Sequence, residues 1–148
     1  MDKRYFSPLE LVKIASQHAY CAEHLLADNA EVLISGHAAS DSLLSITSLM
    51  YTAFELTLKA YLLQEQTANN QHKNLIELLA LSSGLELSNQ DQKLLKKLSR
   101  QLAFRKGVDY ELWEDRQQLQ IFCIDLLELY ERLQQIMPLE LQREYLSL

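Results

Sequence analysis

The sequence predicts an all-α fold: an antiparallel up-and-down bundle of four long helices plus one short helix, forming a single domain over residues 1–148. Three observations predict it. The chain holds only three Gly and two Pro, whereas hairpin-rich β folds need many turn residues. Leu dominates, supported by Ala, Glu, Gln and Lys, all good helix formers. Apolar residues also recur at the spacing of a helix with one buried face. A hydrophobic fraction of 48% is enough for a real core in a domain of this length.

The first helix opens at Ser7, which can cap it, with Pro8 at the first helical position and Glu10 completing a capping box. Leu11, Ile14, Ala15, His18, Ala22, Leu25 and Leu26 form its apolar stripe, and it is expected to end near Asp28-Asn29. The stretch Glu31 to Gly36 admits two readings, because Val32, Leu33 and Ile34 suit either a helical extension or a buried turn. A second helix from about His37 to Gln66 is apolar on most of its circumference, which places it centrally. Glu55 and Lys59 on it are spaced to pair. After a polar loop comes a short helix, about His72 to Ser82, stopping at Gly84. Ser88-Asn89-Gln90-Asp91 caps the next helix, which runs to about Phe104 with Gly107 suited to its C-terminal cap. The last long helix spans about Glu114 to Met137, turning Leu119, Phe122, Cys123, Leu126, Leu129, Tyr130 and Leu133 inward. Pro138 breaks it, and the tail from Leu139 has room for one more turn.

A net charge of −6 argues against binding nucleic acid with the whole surface, so any phosphate contact must come from a local patch. Residues 43–63 are the sole membrane candidate, but Glu55 and Lys59 would each cost about 2.5–3.5 kcal/mol near a span's centre, so no membrane span is expected. The opening segment has no apolar signal core. Cys21 and Cys123 lack CxxC spacing and read as buried thiols, which points to a cytoplasmic protein.

The sharpest local feature is electrostatic. Lys93, Lys96, Lys97, Arg100, Arg105 and Lys106 stand against Asp91 alone, giving residues 91–106 a balance of +5. Residues 1–90 carry −5 and residues 107–148 carry −6. The i, i+3, i+4, i+7 spacing puts Lys93, Lys96, Lys97 and Arg100 on one helix face, with Leu94, Leu95, Leu98 and Leu102 projecting elsewhere. One reading is a cationic stripe for a phosphate-bearing ligand or acidic partner, involving Lys97, Arg100, Arg105, Asp109 and Tyr110, the last three at a helix end and loop. The other is a solvated face balanced by the acidic last helix.

No catalytic constellation competes with these readings. His18, Cys21 and His24 look like a ligand cluster, but helical steps turn His18 and His24 about 120° apart, so one zinc would not collect all three. His37 and His72 stand alone at helix starts. HExxH, GxSxG and a phosphate-binding glycine loop are all absent from the sequence. No metal or cofactor is expected.

The segment Ala53-Phe54-Glu55-Leu56-Thr57-Leu58-Lys59-Ala60-Tyr61-Leu62-Leu63 resembles the central helix of HEPN domains, often A-x-E-x-x-L-K-A-x-L. His72-Lys73-Asn74-Leu75-Ile76-Glu77-Leu78-Leu79 is similar to that family's H-x-L-x-x-L-L stretch, with one extra residue between the His and the first Leu. Phe104-Arg105-Lys106-Gly107-Val108-Asp109-Tyr110 looks like its arginine-bearing turn. The resemblance covers about Ser40 to Leu133 and rests on the order of three individually unspecific segments.

The resemblance implies a bundle that usually dimerises. It also implies either a metal-independent ribonuclease, with an arginine followed after four to six residues by a histidine, or a non-catalytic partner often found beside a small nucleotidyltransferase. No arginine here has that histidine: from Arg105 the candidates are Tyr110, Glu111 and Leu112. Tyrosine, near pKa 10, does not exchange protons at neutrality as histidine near 6.5 does, and a Glu111 carboxylate would repel a phosphate. The expectation is therefore a binding or assembly protein: a regulatory or antitoxin-type component, or a nucleotidyltransferase's substrate-binding partner, with RNA or nucleotide contact through the basic stripe. The alternatives are a ribonuclease toxin with a non-consensus site around Arg105, and a generic helical adaptor. A homodimer is expected, because the second helix is apolar enough to need further cover, with Tyr51, Tyr61 and Trp113 as anchors. Core packing explains Tyr51 and Tyr61 equally well.

Overall fold

The computed structural model describes the backbone of residues 7–35, 40–65, 74–103 and 116–146, and the side chains of residues 7–28, 43–65, 74–100 and 117–142. Among the described residues there are six helices and no strand: α1 (Pro8–Ser35), α2 (Ser40–Gln64), α3 (Leu75–Leu81), α4 (Asn89–Ala103), α5 (Arg116–Ile136) and α6 (Leu139–Leu146). The all-helical expectation holds. The expected number of helices does not, because the tail after Pro138 forms an eight-residue helix rather than a single turn.

The Ser7 capping box forms as read. Glu10 N–H donates to Ser7 Oγ at 3.2 Å, and Ser7 N–H donates to Glu10 Oε1 at 2.8 Å. That donated N–H, with the Ser7 hydroxyl second, holds the Glu10 carboxyl below its usual pKa. The helix does not end at Asp28-Asn29 but continues to Ser35. No Gly or Pro stands between Pro8 and Gly36, and mid-helix Asp and Asn each cost only about 0.7 kcal/mol. The buried side of α1 is Leu11, Val12, Ala15, Ser16, Ala19 and Ala22. Cys21 lies on the far side and is exposed, correcting the expectation of two buried thiols.

Helix α2 is central, as its composition predicts. It packs against α1, α3, α4 and α5. Leu43, Ile46, Met50, Ala53, Phe54, Leu58 and Ala60 on it are fully enclosed. Its buried hydroxyls are satisfied: Thr47 Oγ1 donates to Leu44 O at 2.7 Å, and Thr57 Oγ1 donates to Tyr130 Oη at 3.4 Å. The Tyr130 ring meets Phe54 edge-on, 5.6 Å between centroids. Near the other end of the contact, Cys123 Sγ donates to Leu43 O at 3.6 Å. Between residues 43 and 64 only Ser45 and Leu63 are exposed, so little of this stretch is left to water within a single chain. Glu55 and Lys59 are half-buried and close no ion pair with each other; among the described residues the ion pair is Arg132 with Asp91, 2.7 Å apart.

Every residue of α5 expected to face inward is buried. Helix α5 also buries Gln134, whose amide nitrogen and oxygen have no hydrogen-bond partner among the described residues. Beyond Pro138, Gln142 Nε2 donates to Gln135 O and Met137 O, satisfying carbonyls left over at the end of α5. Leu141 is fully buried, and α6 packs on α1.

Two stability predictions follow from these contacts. Replacing Gln134 by Met removes an unsatisfied buried amide while keeping its volume, and is expected to raise unfolding free energy by about 1–3 kcal/mol in urea titration; a loss of stability would show that the amide is held by a partner. Glu10 contributes through a lowered folded pKa, so its effect is present above the unfolded value and lost as pH falls through the folded one. Amide-exchange protection at Ser7 should fall over that acid window, and the Glu10→Gln variant should lack the pH dependence.

Candidate functional site

Helix α4 separates its side chains by sign and polarity. Ser88 Oγ accepts from Asp91 N–H at 3.0 Å and starts the helix as predicted. From that phase Leu95 and Leu98 are fully buried, while Lys93, Lys96, Lys97 and Arg100 are all exposed. The burial of two leucines thus turns four cations outward as a row. Asp91, the stripe's one acidic residue, is only 14% exposed and is engaged by Arg132 of α5.

The row does not lie on a flat surface. Lys93, Lys96, Lys97 and Arg100 form one side of an open groove of about 540 Å³, and Ile76 of α3 forms the other. Helix α3 is only seven residues long and is fixed by several contacts. Asn74 Oδ1 accepts from Glu77 N–H at 2.9 Å, and Asn74 N–H donates to Glu77 Oε1 at 3.0 Å. Leu75 N–H donates to Tyr51 Oη at 3.2 Å, so α2 supplies a third cap. At the other end Ser82 Oγ donates to Leu78 O, and Tyr61 Oη sits so close to Gly84 that a Cβ there would lie 2.5 Å away. With Leu75, Leu78 and Leu79 buried, Ile76 is left 40% exposed in the groove.

The groove is a cation-lined apolar trough. Lys97 Nζ lies 5.3 Å from the centroid of the buried Phe122 ring, which supports it by a cation–π contact. Among the described residues no carboxylate lines the groove. Four cations on about 10 Å of helix can hold several phosphate or carboxylate groups, with Arg100 able to engage one bidentately. The described residues that line it include no imidazole, thiol or hydroxyl that could carry a proton or attack a substrate.

Of the site residues read from the sequence, Lys97 and Arg100 meet in this groove. Arg105, Asp109, Tyr110 and Trp113 lie outside the described residues, as do His37 and His72. Tyr51 and Tyr61 are half-buried and touch α3 and the turn after it. Desolvation, and to a lesser degree Glu65, raises the Tyr61 pKa. His18 Nδ1 is 2.9 Å from Ile14 O, and His24 stacks edge-on against Tyr20; neither lines the groove. Sequence reasoning missed Ile76. Its signal was Asn74-x-x-Glu77, a capping box that starts α3 three residues after His72 and fixes which side of it is exposed.

No family model, curated protein or solved structure matches this chain.

The two thiols should behave oppositely. Burial pushes the Cys123 pKa up to about 12, whereas Cys21 is exposed. Iodoacetamide near pH 8 should add one label to the native protein, on Cys21, and a second only after unfolding. Mass spectrometry showing Cys123 labelled in the native state would contradict this packing.

Proposed function

We propose that this chain is a non-catalytic, HEPN-like binding or assembly protein that engages an anionic partner through the α3/α4 groove. In this reading α1, α2, α4 and α5 form an antiparallel up-and-down bundle, with α3 and α6 as short additions. The role is that of a regulatory or antitoxin-type component, or of the substrate-binding partner of a nucleotidyltransferase. The observation that carries the reading is the groove lining: Lys93, Lys96, Lys97 and Arg100 beside Ile76, without a carboxylate among them. The chain's overall charge of −6 makes this concentration of positive charge a local feature, not a by-product of composition. The lack of a histidine at the required distance from any arginine supports binding over ribonuclease chemistry.

A fluorescent single-stranded RNA provides the test probe. Binding through four cations should weaken with salt at a log–log slope of about −3, given about 0.7 per phosphate contact on a single strand. The variant K93A/K96A/R100A should flatten that slope to about −1 and leave the RNA uncut, as in the parent. A slope unchanged by the triple substitution would place the anion contact elsewhere, and cleavage of the probe by the purified parent would overturn the non-catalytic reading.

A further inference from the structure

The groove pairs its cations with an aliphatic side chain, and that pairing selects among anions. Ile76 stands 40% exposed across from Lys93, Lys96, Lys97 and Arg100. Ala80, one turn on and about 40° round α3, is also exposed, so this side of α3 continues apolar past Ile76. Glu77, between them in sequence, is turned to its own helix start, where its Oε1 accepts from Asn74 N–H.

A nucleic-acid strand makes little use of such a wall. Proteins that hold single strands by their phosphates also stack the bases on aromatic rings. Phe122, the ring beneath Lys97, is only 4% exposed and gives a base no face. Among the described lining residues Arg100 carries the one planar group, enough for one base and not for a run of them. The cation row is also short, about 10 Å from Lys93 to Arg100. The rest of the chain is more acidic than its total of −6, so a long polyanion leaving the row meets like charge.

Resting on the reading of the groove as an anion-binding face, we infer that its occupant is an acidic amphipathic helix of a partner protein, with carboxylates on the α4 cations and aliphatic side chains against Ile76. A helix lying along α4 repeats its side chains at the i, i+3, i+4, i+7 intervals of the cation row, so its carboxylates span the same length. Arg100 takes one carboxylate bidentately. An aliphatic residue beside the acidic row faces α3 and is buried on Ile76. Apolar anchors at helical spacing are how amphipathic helices enter grooves. The cations attract at range and set the register, while Ile76 adds the contact that separates this partner from a phosphate chain.

Fluorescence anisotropy with labelled probes tests the inference. The first is a Glu/Leu/Ala peptide of about 15 residues, long enough to hold a helix, with Glu at the spacing of the cations and Leu alongside. The second is the same peptide with every Leu changed to Gln, and the third is a single-stranded RNA of equal charge. The Leu peptide should bind at least ~10-fold more tightly than either of the others, and part of its affinity should survive high salt. Ile76→Ala should weaken the Leu peptide ~5-fold and leave the Gln peptide and the RNA unchanged. K93E/K96E should lose all the probes. Both variants alter only exposed side chains and should keep a parent-like circular dichroism spectrum. Leu and Gln peptides that bind alike overturn the inference, as does an Ile76→Ala variant with undiminished affinity for the Leu peptide. An RNA that binds more tightly than the Leu peptide overturns it in favour of nucleic acid. Where K93E/K96E still loses the RNA in those cases, the anion-binding groove stands with another occupant. A parent that binds no probe, or that K93E/K96E matches on every probe, overturns the groove reading and the inference together.

Discussion

Burial of α2 on nearly all sides is the constraint from which the rest of the structure follows. A helix apolar around most of its circumference cannot face water along any strip, so it recruits neighbours on every side. Helix α1 covers it most extensively, and α3, α4 and α5 cover the remainder. Each covering helix therefore needs only one apolar face, and each shows one. Two Thr hydroxyls enter this core only because each has an acceptor, one in the preceding turn and one on Tyr130. The groove exists because two of these covering helices, α3 and α4, meet over α2 without filling the space on their outer sides.

The same constraint fixes the groove's walls. Helix α3 is too short to hold itself, since a seven-residue helix gains little from its own hydrogen bonds. Its start is satisfied by Asn74, Glu77 and the Tyr51 hydroxyl, and its far turn is held against Tyr61 at Gly84. Both tyrosines come from α2. The position of Ile76 is thus set by the central helix, and the opposite wall is set by Leu95 and Leu98 of α4. A side rooted in packed leucines presents its cations from a fixed helix, which in the proposed role would reduce the freedom lost on anion binding.

Much of this was legible in the sequence, and particular residues show why. The inward set on α5, from Leu119 to Leu133, and the outward cations on α4 follow from the helical period alone, because a long amphipathic helix has one way to face a core. The caps at Ser7 and Ser88 were readable for the same reason: a short side chain three residues before an acceptor-seeking N–H acts locally. Tertiary facts were not readable. Whether Cys21 is buried depends on which 100° of α1 meets α2, and a stripe drawn through Ile14 and His18 puts that face slightly off from the observed Val12, Ala15 and Ala19. The groove itself depends on Ile76 lying across from α4, a relation between two helices that no single periodicity encodes. Arg105, Asp109 and Tyr110, chosen for their place at a helix end, fall outside the described residues, so the basic site rests on Lys93, Lys96, Lys97 and Arg100.

The charge distribution sets the groove apart from the rest of the surface. Like charges three and four residues apart on a helix repel by a few tenths of a kcal/mol per pair, so a row such as Lys93, Lys96, Lys97 and Arg100 weakens α4 in isolation. Interspersed carboxylates would remove that cost, and the chain has more carboxylates than cations. Instead the one acidic residue on α4 sits in its first turn, paired with Arg132 and favourably placed for the helix dipole, where it does least to offset the row. Within α4 itself the row therefore has no interspersed carboxylate. A fold that keeps its cations together, supports one of them on a buried ring and leaves isoleucine exposed across from them concentrates positive charge on one face of an acidic chain, and the proposed anion-binding role rests on that concentration.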